Sequence, residues 1–196
     1  MKFRTALVPI AALSLSACGL NSVPTAEENA KAKWADVQAQ YQRRADLVPN
    51  LVATVKGAAA SEGKILTDVM NARAKATSVQ VTANDLTDRL KVQQFQAAQQ
   101  QLGGSLSRLL ATTEAYPDLK SQGNFTTLMS QLEGTENRIT IAIRDYNQAV
   151  QAYNTRIRTF PDAVGAKIFY GAKPLTPFQA KAGADVAPTV NFGNGN

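Results

Sequence analysis

The sequence predicts an all-α fold, an elongated antiparallel bundle of helices, on three observations. Apolar residues recur in alternating steps of three and four over most of the chain, the mark of helices with one buried face. One such stretch, from Phe125 to Phe160, persists for about five heptads and argues for coiled-coil-like packing with ~20° crossings. Neither strand-like alternation nor a glycine-rich phosphate loop occurs, which sets aside a nucleotide-binding α/β domain.

The chain opens with a segment that belongs to export rather than to the fold. Lys2 and Arg4 precede an uncharged run of Ala, Leu, Ile and Val over residues 5–17, the charged start and apolar middle of a secretory signal. A membrane span needs ~20 apolar residues, and this run is shorter and is interrupted by Pro9, Ser14 and Ser16. The run ends Leu15-Ser16-Ala17-Cys18, which resembles the bacterial lipobox. Residues 1–17 are therefore expected to form a lipoprotein signal peptide, and Cys18 to carry a covalent lipid as the first mature residue. Two or three acyl chains anchor a protein far more firmly than one, at ~0.8 kcal/mol per buried methylene. Gly19 stands where Asp would favour inner-membrane retention. In a Gram-negative host the expected location is thus the outer membrane, facing the periplasm.

Residues 18–25 read as a lipidated polar tether. From Ala30 the apolar positions Trp34, Val37, Tyr41, Val48, Val52 and Val55 trace one helix face, and the same phase runs on through Ala59, Leu66, Val69 and Ala76. Pro49 interrupts this run, because proline removes one helical hydrogen bond and clashes with the carbonyl four residues back. A kink is expected over residues 45–49, giving two segments within 26–77, with both a collinear and a bent arrangement left open. Residues 78–84 read as a loop, with Asn84 or Asp85 as cap of a helix over residues 85–115. That helix has its seam at Phe95, Leu102, Leu106, Leu109 and Thr113, and its Gln-rich face, Gln93, Gln94 and Gln99 to Gln101, is expected to be solvated. Tyr116-Pro117 ends it. The five-heptad helix follows, stopped by Pro161, and a short helix over residues 162–170 closes the domain 26–171. Residues 172–196, with three prolines, are expected to form an extended or disordered tail.

Composition narrows the function. The chain has no His and one Cys, so Ser-His-Asp and Cys-His catalysis and the usual zinc sites are excluded. No catalytic residue, no metal site and no cofactor beyond the lipid on Cys18 is expected. Of the 21 basic residues two lie in the leader, leaving 19 against 15 acidic ones. These are spread along the helices rather than gathered in the stripe a nucleic-acid binder shows, so no nucleic acid is expected as partner.

Several strings in series go beyond periodicity. Trp34-Ala35-Asp36-Val37, Arg43-Arg44-Ala45-Asp46-Leu47-Val48-Pro49-Asn50-Leu51-Val52 and Thr54-Val55-Lys56-Gly57 resemble the signature of the LemA family of bacterial envelope proteins. Ala72-Arg73, Tyr116-Pro117-Asp118-Leu119-Lys120, Leu132-Glu133-Gly134-Thr135-Glu136, Tyr146-Asn147, Tyr153-Asn154 and Phe160-Pro161 follow in the order that family shows. The resemblance spans roughly residues 27–192. It implies a four-helix up-and-down bundle and brings no agreed enzymatic activity. Members are usually held by an amino-terminal transmembrane helix, a feature this chain replaces with the lipobox.

The polar constellations are read on that frame. Arg43, Arg44, Asp46 and Asn50, beside Pro49, are candidate partner-binding residues. Glu62, Arg73, Glu133, Glu136, Arg144, Asn147 and Asn154 are taken as structural polar residues. Tyr146-Asn147 and Tyr153-Asn154 repeat at one heptad, with the tyrosines in the core and the asparagines either pinning helix register or lining a groove. Asp46, Glu62, Asp68, Glu133 and Glu136, with Arg73 and Arg144, are read as inter-helix ion pairs, with a divalent-cation site or cation-dependent enzyme as the alternative. The expected role is non-catalytic interaction or scaffolding beside an envelope protein of unidentified kind, with homo-oligomerisation as a variant of the same reading.

Overall fold

Helix α1 runs from Ser22 to Ala58, in a computed structural model that describes residues 21–179. It buries Ala30, Trp34, Val37, Tyr41, Val48, Leu51 and Val55, the face expected from the spacing except that Leu51 takes the place of Val52, which is only partly buried. It begins earlier than expected, because residues 22–25 of the supposed tether form its first turn. No break occurs at Pro49. The Ala45 carbonyl, left without a helical donor by the proline, accepts instead from Arg73 Nε at 2.7 Å. That substitution of a side-chain donor for a backbone one keeps α1 in a single piece.

The break comes ten residues later. Ala59 leaves helical geometry at φ −133°, ψ 58°, a 3₁₀ turn covers Ala60–Glu62, and α2, Gly63–Ser78, returns antiparallel beside α1. Of the arrangements the sequence leaves open, the collinear one is thereby ruled out, and the break lies at residues 59–62 rather than 45–49. A heptad phase that survives across a turn looks the same as one that continues through a helix, and Gly57, Ser61 and Gly63 were the local signals for the turn. Leu66, Val69, Ala72 and Ala76 of α2 are buried.

In the following loop Val81 is buried, and its carbonyl accepts from Trp34 Nε1 at 2.9 Å and Gln38 Nε2 at 3.0 Å. Thr82 and Asp85 form a reciprocal capping box around the 3₁₀ turn Ala83–Thr87. Hydrogen bonds from Lys91 and then Thr82 hold the Asp85 carboxyl down to about 2. The cap of α3, Arg89–Thr113, is Asp88 rather than Asn84 or Asp85. Its side chain accepts from the Leu90 and Lys91 amides. Helix α3 passes unbroken through Gly103-Gly104. Short α4, Pro117–Lys120, places proline at its first turn and buries Leu119, as a proline without a donor permits.

Helix α5, Gly123–Arg156, buries Phe125, Leu132, Thr135, Ile139, Ala142, Tyr146, Ala149 and Tyr153. It stops short of Phe160, which was expected on the seam and is 86% exposed. Asp162–Gly165 form α6, which continues into a π-helical turn at Ala166–Tyr170. Gly171 then takes φ +54°, a left-handed conformation that suits glycine and turns the chain back along the bundle. Residues 172–179, assigned to the tail, are extended and packed, with Leu175 and Phe178 buried.

The result is an up-down-up-down arrangement of α1, α2, α3 and α5, with no strand among the described residues. The apolar core falls into two clusters. One, around Val48, Leu51, Leu66, Leu102, Leu109 and Leu132, is enclosed by all four helices. In the other, around Trp34, Phe95, Tyr146 and Phe178, the loop residues Val81 and Leu86 and the returning segment fill space that α2 is too short to reach. Trp34 meets Phe95 and Tyr146 with ring centres 5.3 Å apart, tilted geometries each worth ~0.5–1.5 kcal/mol beyond area burial.

Candidate functional site

Between the two apolar clusters lies a polar layer built on Arg44. Its side chain is 4% exposed. Nη1 is 3.1 Å from Glu136 Oε1 on α5, and Nη2 donates to both the carbonyl and the Oε1 of Gln99 on α3, each at 2.9 Å. Gln99 Nε2 in turn donates to the Ala76 carbonyl of α2 at 3.1 Å. One network thus joins all four helices at a single level. The guanidinium also sits 5.0 Å over the Tyr41 ring, a cation–π arrangement. Burial pushes the Tyr41 hydroxyl up to about 12, with Arg44 pulling it down and Glu136 up. Among the described residues Arg44 Nε has no hydrogen-bond partner, so part of the cost of burying this charge is left uncompensated.

Arg44 therefore does not belong with Arg43, Asp46 and Asn50. Those three are exposed on the outer face of α1, and Asp46 accepts from Gln42 Nε2 at 2.7 Å. The expectation that Gln99 is solvated is also overturned, since Gln96 and Gln99 are both buried. Charge and amide content alone mark a residue as polar without saying whether a partner waits inside.

The asparagine pair does line a groove, and the chain's own carboxyl-terminal segment fills it. Asn147 donates from Nδ2 to the Phe178 carbonyl at 3.1 Å and accepts the Phe178 N–H at 2.8 Å. Asn154 does the same with Leu175, at 2.9 Å both ways. Between them Tyr146 donates its hydroxyl to the Thr176 carbonyl at 2.8 Å, and the Thr176 N–H reaches the Leu86 carbonyl at 2.9 Å. The spacing explains the match. Seven residues of helix rise ~10.5 Å, and three residues of extended chain span ~10 Å, so asparagines one heptad apart meet backbones three residues apart. Pro174 and Pro177 carry no N–H and occupy places where no donor is called for. The sequence signal was the Pro174-Leu175-Thr176-Pro177-Phe178 string, apolar residues each following a proline.

Past Phe178 the groove continues between α3 and α5 as an open cleft of about 600 Å³, lined by Tyr41, Gln96, Gln100, Arg144, Asn147 and Phe178 among others. Gln96 Nε2 is buried without a hydrogen-bond partner among the described residues, and Arg144 is held by its neighbour Asp145 at 3.1 Å.

The remaining polar candidates are dispersed. Glu62 accepts from the Tyr116 hydroxyl at 2.9 Å, Asp68 lies 4.0 Å from Lys64, Arg73 serves the Ala45 carbonyl and Glu133 is exposed. No three of His, Cys, Asp or Glu come together among the described residues, so the carboxylates do not converge as the cation alternative requires. Cys18 lies outside the described residues, as do residues 1–17.

The LemA family model matches residues 33–192. Two magnetosome proteins of Paramagnetospirillum magneticum, MamQ 1 and MamQ 2, are each 28% identical over 181 residues, covering 84% of this chain and 66% of the relative. Magnetosome protein MamQ of Magnetospirillum gryphiswaldense is 26% identical over the same extent. The match thus spans just under two thirds of those relatives' length.

Proposed function

Because the chain belongs to the LemA family, we propose that it is a lipid-anchored cell-envelope protein whose bundle is non-catalytic and acts by holding another envelope protein. The observation that supports this most is the groove along α5. Its rungs are side-chain amides and a tyrosine hydroxyl that recognise extended backbone, and its open end is a cleft of the same character. Amides neither give nor take protons near neutral pH, and the tyrosine at the cleft floor, Tyr41, is held up to about 12. Such a surface binds and orients. The likeness to proteins named for the magnetosome supports placement at a membrane, and the lipobox at Cys18 supplies the anchor, with the outer membrane favoured in a Gram-negative host.

Two measurements test the reading. Mass spectrometry of the mature amino terminus is expected to find an acylated Cys18, and a chain starting elsewhere refutes the anchor. A photo-reactive side chain at Gln100 or Arg144, in the cleft, is expected to capture a reproducible envelope protein in intact cells, whereas the same group at Arg43 is expected to capture less. Recovery of monomer alone from every position refutes the binding role.

A further inference from the structure

The two ends of the bundle differ in a way the groove does not explain. Of the seven large hydrophobic side chains exposed among the described residues, five fall between positions 160 and 170: Phe160, Val164, Ile168, Phe169 and Tyr170, at 86, 50, 69, 68 and 44%. A patch of this kind on an otherwise polar surface marks a site of contact with something apolar. The inner side of the same segment, Gly165 and Ala166, is buried against the bundle, so the exposure belongs to the folded arrangement.

The patch lies at the end where α1 begins. Helices α1 and α5 pass antiparallel in a constant register, Arg44 opposite Glu136 and Trp34 opposite Tyr146, while Tyr153 feels the charges of Glu27 and Lys31. Continuing that register sets the close of α5 beside the first turn of α1, and α6 packs against α1 there. Ser22, the first residue of α1, is only four residues beyond Cys18. Around the apolar side chains stand the basic Arg156, Arg158, Lys167 and Lys173, all exposed, against Asp162, which is 3.9 Å from Arg156. Glu27 and Glu28 on the neighbouring turn of α1 are both paired to Lys31.

We propose that this end of the bundle rests on the lipid surface, with Phe160, Ile168, Phe169 and Tyr170 entering the interface and the basic rim meeting anionic headgroups. The inference rests on the anchor reading in one respect, that the chain before Ser22 holds this end near a bilayer. Aromatic side chains favour the headgroup level, and apolar burial there adds to electrostatic attraction toward anionic lipid. The opposite end, with Ser61, Glu62, Tyr116 and α4, then points away from the membrane, and the cleft between α3 and α5 stands partway up the bundle.

The test uses the full chain reconstituted in phosphatidylethanolamine and phosphatidylglycerol vesicles whose acyl chains carry bromine, a short-range quencher. Trp34, the native tryptophan, is buried and contributes a constant background. The Phe169→Trp chain is expected to be quenched and blue-shifted, and the Ser121→Trp chain, probing the far end, to be unaffected. A Cys18→Ser chain is expected to sediment weakly with the same vesicles, less so at high salt. Phe160→Asp with Phe169→Asp in that background is expected to lower its partitioning by about tenfold or more per aromatic replaced. An unquenched Phe169→Trp chain on vesicles overturns the proposal. So does shielding of that probe without lipid in a species of dimeric mass, which assigns the patch to a second copy. Loss of the anchor reading shows separately, as an unmodified Cys18 by mass, and leaves the quenching result standing.

Discussion

The continuity of α1 through Pro49 makes Arg73 a replacement for a missing backbone donor, and that can be tested by a double-mutant cycle. The Ala45 carbonyl has one strong donor, Arg73 Nε at 2.7 Å. Hydrogen bonds involving a charged group contribute ~1.5–3 kcal/mol. Arg73 is half-buried, which places Arg73→Ala near the lower bound, about 1.5 kcal/mol. Pro49→Ala restores a backbone N–H at position 49 that reaches the same carbonyl. In that background Arg73→Ala is expected to cost only about 0.5 kcal/mol, a coupling of about 1 kcal/mol. Pro49→Ala alone is expected to stabilise by about 1–2 kcal/mol, less than the ~3 kcal/mol separating proline from alanine in a helix interior, because Arg73 has already satisfied the acceptor. Urea unfolding of the four full-length chains, followed by helical circular dichroism, reads these differences as midpoint shifts. If Arg73→Ala costs the same in both backgrounds to within ~0.5 kcal/mol, the account of α1 is wrong.

Four further outcomes follow from the same structure. Asn147→Ala removes two hydrogen bonds of ~1 kcal/mol each and is expected to speed hydrogen exchange over residues 172–179 by about thirtyfold, the exchange at Trp34 and Leu109 staying unchanged; acceleration of all three together refutes an independently opening segment. Arg44→Ala is expected to cost about 3 kcal/mol, combining a cavity with an orphaned Gln99, and Arg44→Met about 1 kcal/mol less because it fills the space; equal midpoints for the two variants contradict this. Tyr41, held up to about 12, and Tyr146 and Tyr153, both raised by burial, bind their protons more tightly folded than unfolded, where tyrosine ionises near ~10. Their contribution to stability is complete below about pH 10 and disappears as pH rises through the folded values, so phenolate absorbance from these residues should appear at higher pH in the folded chain than in the urea-unfolded one. A Cβ at Gly104 or Gly134 meets nothing within 4 Å, so Gly104→Ala and Gly134→Ala are each expected to stabilise by ~0.5–1 kcal/mol, visible as raised melting temperatures.

The fold was largely legible because its seams are long. Trp34 to Val55, Phe95 to Leu109 and Phe125 to Tyr153 are buried where the spacing of threes and fours places them. The candidate site was legible in part. Asn147 and Asn154 stood out as a heptad pair, yet their partners lie over twenty residues away in a segment with no periodicity of its own. Gln99 read as solvated and Arg44 as a partner-binding residue because polarity carries no information on where a side chain points. Phe160 fitted a seam by number, but α5 ends at Arg156, and the residue faces outward at the end of the bundle.

Sequence by itself determined where most of the helical stretches run and which face of each is apolar, since both depend on residues three and four apart. It also determined that histidine chemistry is absent and that Pro49 leaves an acceptor unpaired. Tertiary structure decided the rest. It reversed the chain at residues 59–63, brought Arg73 to the Ala45 carbonyl and gathered Arg44, Gln99 and Glu136 into one layer. It also laid residues 174–178 along the asparagine rungs. These are meetings between residues far apart in the chain, and a periodic pattern names the face that must be covered without naming what covers it.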